Sequence, residues 1–169
     1  MRLIYTFIYQ FHIVTGMIAF FIGPFQFVAW LRRNAVALHR LLGKAYILCA
    51  LFSSLTGLVI SFHSPCVMAV AGTSLQCTAW FTATLLAYLC ILKRRVAQHR
   101  KWMMRSYALV LAAPLVRIGF YGLQLLQIAY AQRFEVYYSL LVWMGFVPLM
   151  MIEVYLRSPI SQKITKDLT

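Results

Sequence analysis

Gln98-His99-Arg100-Lys101-Trp102-Met103-Met104-Arg105 is a basic, aromatic hinge between two long apolar runs. A weaker copy, Leu38-His39-Arg40-Leu41-Leu42-Gly43-Lys44-Ala45-Tyr46, stands upstream at the entrance to another apolar segment. Both place a His-Arg pair ahead of further cations and an aromatic ring. Each follows a double cation, Arg32-Arg33 or Arg94-Arg95. The pattern suggests two related helical hairpins plus a fifth helix.

Working outward, composition fixes the solvent. Of 169 residues 63% are hydrophobic and 11% charged, with a mean hydropathy of +0.78. That is more apolar surface than a soluble domain of this length can bury. The net charge of +13 does not read as a nucleic-acid footprint, because the cations sit in short connectors rather than on one polar face.

The expected fold is all-α, a polytopic membrane helix bundle. Its spans are expected at about 8–30, 41–62, 74–92, 106–131 and 136–156, within one bundle of residues 1–157, followed by a polar cytoplasmic tail, 158–169. The first run can cross a hydrocarbon core of ~30 Å. It lacks a signal-peptide cleavage pattern and is expected to be retained. Pro65 and Gly72 mark a short uncharged loop between the second and third spans. Thirteen of the sixteen cations fall on one side of this layout. The positive-inside rule then puts the amino terminus outside and the carboxyl terminus inside. Tyr46 and Trp102 are expected at the interfaces, where amphipathic rings are favoured.

Cys66 and Cys77 flank the uncharged loop and could close a disulfide across it in an oxidising space. Cys49 and Cys90 read as small buried residues.

Four histidines carry the candidate chemistry. His39 and His99 share the inner surface of the expected layout, and His12 and His63 the outer one. Haem b in a helical bundle is held by histidine pairs on facing helices, so haem iron is the one metal considered. The arrangement resembles the double-ended layout of the cytochrome b561 class. His39 and His63, however, are 24 residues apart, about 36 Å on a continuous helix, which argues against a two-haem wire. Interfacial anchoring is the plainer reading of a histidine beside arginine. Arg40, Lys44, Arg100, Lys101 and Arg105 have two readings as well, as topological anchors or as a ring that holds an anion or lipid headgroup.

Arg117 is expected near the middle of its span, where a cation costs about 2.5 kcal/mol or more and faces a partner or a wet cavity. Pro114 precedes it by three residues and leaves the Val110 carbonyl without its helical donor. Candidate partners are a carbonyl, Tyr121, Gln26, a haem propionate or a quinone oxygen. Glu153 is expected about 10 Å nearer the inner face.

The stretches His12-Ile13-x2-Gly16, Gly23-Pro24-Phe25-Gln26-Phe27, His39-Arg40-x2-Gly43-Lys44-x-Tyr46 and His99-Arg100-x-Trp102-Met103-x-Arg105-Ser106, with Arg117, resemble a family of uncharacterised, predicted bacterial integral membrane proteins. The resemblance spans nearly the whole chain. It implies a bacterial inner membrane, and it transfers no activity.

Two functional classes follow. One is a non-enzymatic membrane component or subunit that binds lipid or partner helices. The other is a redox or ligand-binding protein that holds haem b or quinone through histidine pairs and Arg117. A transporter is weakly supported, since no pair of broken helices and no acidic relay stands out. Hydrolase signatures and phosphate-binding glycine loops are absent.

Overall fold

The computed structural model describes residues 2–64, 66–125 and 130–159. Pro65, Lys163, Lys166 and all of the tail beyond residue 159 lie outside them. Among the described residues there are eight α-helices and no strand. They are α1 Arg2–Ile22, α2 Ala29–Asn34, α3 Val36–Ser61, α4 Val67–Leu92, α5 Val96–Val110, α6 Ala112–Leu125, α7 Tyr130–Met144 and α8 Val147–Arg157. A 3-10 turn, Gly23–Phe27, follows α1 and carries Pro24 in its first positions. These elements make five spans long and apolar enough to cross a membrane: Arg2–Phe27, Val36–Ser61, Val67–Leu92, Val96–Gly122 and Glu135–Arg157.

The number of spans agrees with the apolar pattern, but each begins earlier in the chain than expected. Long cationic side chains at a helix end keep their stems on apolar surface while their heads reach water, so the helix continues through residues that look like connector. Three expectations change. His39 and His99 lie inside α3 and α5, each three residues after the helix begins. Gly72 belongs to α4 rather than to a loop, and packs against Val142 and Trp143. Arg117 lies five residues before the end of a span that starts at Val96, about 8 Å from that end and not at the centre.

Two spans are interrupted. Helix stops at Leu111, between α5 and α6, and again at Gly145–Phe146, between α7 and α8. Each break lies three residues or so ahead of a proline, Pro114 or Pro148, whose missing N–H leaves a carbonyl one turn back without its donor. The breaks face one another: a Cβ on Gly145 would come within 3.0 Å of the Ala112 Cβ. From α4, the Gln76 side-chain amide donates to the Val142 carbonyl at 2.6 Å, which satisfies backbone at a break inside the membrane. Leu111 and Phe146 keep right-handed helical dihedrals, so these are proline-associated irregularities within continuous spans rather than unwound, broken helices.

Packing follows chain order. α1 lies on α3, α3 on α4 and α4 on α5, while α6 pairs with α7, α7 rests on α4 and α8 on α5. The core combines small residues, Ala19, Ala50, Ala83 and Ala87, with Ile47, Trp80, Met103 and Leu109. Small side chains let backbones approach, which matters where lipid removes the hydrophobic drive between helices. Large apolar side chains such as Leu3, Phe7, Phe62, Met150 and Val154 point outward, as a lipid solvent requires.

A hydroxyl network lies inside this core. The hydroxyls of Tyr46 and Ser106 are 2.8 Å apart, and those of Thr84 and Ser106 are 2.7 Å apart. Thr84 also donates to the Trp80 carbonyl at 2.8 Å. Tyr46, Thr84 and Ser106 are each 0% exposed, so α3, α4 and α5 meet through three hydroxyls that have no water to turn to. Tyr46 is thus a core residue and not the interfacial ring expected of it.

The Cys66–Cys77 disulfide is not formed, and all four cysteines are free thiols. Cys66 stands immediately before α4 and Cys77 eleven residues later in the same helix. That places them about 16 Å apart along the axis, where a disulfide needs Cα atoms roughly 5.5 Å apart. The Cys66 thiol instead sits 3.0 Å from the Ser139 hydroxyl.

The link between α4 and α5 is a tight left-handed cap. Arg94 has φ 58°, with its N–H bonded to the Ile91 carbonyl at 3.0 Å and the Arg95 N–H to the Cys90 carbonyl at 2.9 Å. This is the hydrogen-bond pattern in which glycine is normally found, and a side chain there costs about 1 kcal/mol. Arg94→Gly should raise the thermal unfolding midpoint in detergent by a few degrees, and Arg94→Val should lower it.

Candidate functional site at the basic end of the bundle

The two motif helices run parallel and in register. His39 and Tyr46 are seven residues apart on α3, and His99 and Ser106 are seven apart on α5, two helical turns or about 10.5 Å in each case. The Tyr46–Ser106 contact therefore holds the two histidines at one depth. Helices α3 and α5 have little direct backbone contact, so side chains fill the space between them.

Around that space lie His39 and His99, within electrostatic reach of each other and of Arg32 and Arg40. Arg32, on α2, also lies within reach of Arg100 and Arg33. It stands outside the spanning segments, and its guanidinium is held below the ordinary arginine range, first by burial and then by the neighbouring charges of Arg100 and Arg33. The 3-10 turn inserts Gln26, which is only 6% exposed. It fits because position 43 is glycine: a Cβ there would lie 3.1 Å from Gln26 Oε1. Gly43 is one turn beyond His39 on the same face of α3.

Hydrogen bonding is complete for some of these groups and not for others. His99 donates Nδ1–H to the Ala87 carbonyl at 2.8 Å, because a carbonyl only accepts. Nε2 is left for another partner. Four buried side-chain polar atoms among the described residues lack a partner: Gln26 Nε2, Arg32 Nε, His39 Nδ1 and Trp80 Nε1. The first three belong to the basic end, whereas the fourth is directed at the Tyr46 hydroxyl, which it reaches by a looser hydrogen bond. Buried polar groups are nearly always satisfied, and three of these open positions fall at one mouth.

The five cations expected to ring an anion behave unequally. Arg105 is taken: Nε and Nη2 donate to the two Glu153 carboxylate oxygens at 2.5 and 3.2 Å, and its guanidinium lies 4.6 Å from the Trp102 ring centroid. Arg40 and Lys44 are exposed, whereas Arg100 and Lys101 are half-buried. Arg32, Gln26 and Glu153 were not among the residues singled out as site candidates. Gln26 carried a signal as a lone amide in an apolar run. Arg32 was hidden as one of a topological pair.

The histidines at the opposite end do not form a pair. His12 donates Nδ1–H to the Ser53 carbonyl at 2.8 Å, seated against Gly57, where a Cβ would come within 2.9 Å of the imidazole Cε1. His63 instead meets the Tyr5 ring at 4.5 Å. Ser53 and His63 are ten residues apart, about 15 Å along α3, which separates the two imidazoles in depth. Arg117 is exposed, and its Nη2 donates to the Tyr9 hydroxyl at 3.5 Å. Neither Tyr121 nor Gln26 is its partner. No group of three or more histidine, cysteine or acidic side chains suited to a metal ion occurs among the described residues.

Fold and site together define a polytopic helical membrane protein with a cationic, incompletely satisfied mouth at one end. The chain belongs to the family described as "Predicted membrane protein (DUF2306)", whose profile matches residues 9–156. No curated protein and no solved structure matches it.

The Arg105–Glu153 pair joins α5 to α8 and should behave as one unit. Arg105→Met and Glu153→Met are each expected to cost about 1–2 kcal/mol, and the double variant no more than either alone. Unfolding midpoints of the four proteins, in one detergent, would test this.

Proposed function

We propose that this is a non-enzymatic, ligand-binding component of a bacterial inner membrane, and that its basic end holds an anion-bearing group. The observation that carries the reading is the convergence of unpartnered donors, Gln26 Nε2, Arg32 Nε and His39 Nδ1, on one cationic mouth. An anion oxygen would satisfy them and relieve the repulsion among Arg32, Arg40 and Arg100. The bilayer supplies such groups as lipid headgroups, and partner helices could supply a carboxylate. By the positive-inside rule this end faces the cytoplasm, with the amino terminus outside.

Purified protein titrated with inorganic phosphate, and separately reconstituted with phosphatidylglycerol, tests the reading through tryptophan fluorescence. Arg32→Gln and His39→Gln should each weaken binding about tenfold, or 1.4 kcal/mol. Indifference of the wild-type protein to both probes would sink it.

A second reading, haem b or a quinone at His39 and His99, has its own support. The His99 Nδ1–H bond to Ala87 leaves Nε2 free, which is how metal-binding imidazoles are commonly oriented. An oxidised-minus-reduced absorption spectrum decides: a stoichiometric b-type signal lost in His99→Ala favours haem, and a flat spectrum removes it.

A further inference from the structure

At the end away from the basic mouth, α1 packs closely on α3 but makes little backbone contact with α6 or α7. Between α1 and the α6–α7 pair the contact is therefore made by side chains, and polar ones meet there. From α1 come Tyr9 and His12, three residues apart and so on one helix face. From α6 comes Arg117, whose Nη2 reaches the Tyr9 hydroxyl and whose charge lies within electrostatic reach of His12. From α7, Tyr138 lies within reach of both Arg117 and Tyr9.

Charge is unbalanced here. Arg117 makes one long side-chain hydrogen bond, 3.5 Å to a neutral phenol, and no carboxylate pairs with it among the described residues. Glu153, a possible counter-ion, is committed to Arg105. Four of the five guanidinium N–H donors have no described partner, and the Tyr9 oxygen, which accepts from Arg117, keeps its own proton to donate. Arg117 is about 8 Å inside its span, near enough to the end for its long side chain to snorkel toward the interface. It is close enough to the end for an anion at the membrane surface to reach it. The helix surfaces beside this cluster are apolar and exposed, with Ile13 and Ile118 next to it in sequence, so a bound group can bring a hydrocarbon chain.

We infer that Arg117 and Tyr9 form a phosphate-binding site for a phospholipid of the surrounding leaflet. The guanidinium takes two phosphate oxygens in a forked contact and the Tyr9 hydroxyl donates to a third. His12 lies beside the pair, its Nδ1 fixed on the Ser53 carbonyl. The acyl chains lie along the apolar surface of α1 and α6. This site is independent of the proposed site at the basic end.

The test is native mass spectrometry of the full chain in detergent with dioleoylphosphatidic acid, and with dioleoylglycerol as the same tail without phosphate. Wild-type protein should retain the phosphatidic acid and not the diacylglycerol. Arg117→Gln should cut retention about tenfold, Tyr9→Phe two- to threefold, and Arg117→Lys should keep part of it as a point charge without the fork. These comparisons are made in an Arg32→Gln background, which removes the separate anion site proposed at the basic end, so that retention reads this site alone. Equal retention of the two lipids would overturn the proposal, as would unchanged retention of phosphatidic acid in Tyr9→Phe and in a monodisperse Arg117→Gln protein. Should Arg117→Gln fail to fold, Tyr9→Phe and the lipid comparison still decide. Displacement by inorganic phosphate alone would assign the site to the free anion and overturn the lipid assignment.

Discussion

Three hydroxyls closed away from water set the geometry of this bundle. Tyr46, Thr84 and Ser106 belong to α3, α4 and α5, and each is wholly buried. In hydrocarbon a hydroxyl without a partner is costly, so the helices must adopt the axial register that brings the three together. A slide of one turn would move each group by about 5.4 Å, beyond any hydrogen bond. Small residues around the network, Ala50, Ala83 and Ala87, let the backbones come near enough for the contact to form.

The histidines inherit that register. Because each stands two turns from its hydroxyl on a parallel helix, the network fixes His39 against His99 without their touching. Arg32 and Gln26 are delivered by a different device, the short turn and helix between α1 and α3. Pro24 ends the first span there, and Gly43 makes room for the amide. The mouth is thus assembled from a rigid pair and an inserted loop, and its unsatisfied donors sit where the two meet.

Much of the fold is legible in the residues, since the number of spans follows from apolar length alone. Their ends are not, because hydropathy cannot tell a cation in a loop from one at a helix end whose stem still lies on apolar surface. That single ambiguity misplaced His39, His99 and Arg117 together. The site was partly legible: His39 and His99 stood out by their repeat, and the equal seven-residue steps to Tyr46 and Ser106 were present in the sequence. Tyr46 was hidden by its side-chain type, since tyrosine near a cation is ordinarily interfacial. The Arg105–Glu153 pair, with partners 48 residues apart, depends on how α8 returns against α5, which no local pattern encodes.

The facing breaks at Leu111 and Gly145 have a mechanical consequence. A continuous helix resists bending through its unbroken ladder of backbone bonds, and here both ladders are interrupted at one level by prolines. Below that level α5 and α8 are tied to each other by Arg105 and Glu153, whereas above it α6 packs mainly on α7, which in turn rests on α4. The bundle is therefore stiff in its basic half and compliant in the other, with the Gln76 amide as the stitch across the fold line. Tilt of the α6–α7 pair would widen or narrow its gap from α1 while leaving the spacing of His39 and His99 undisturbed.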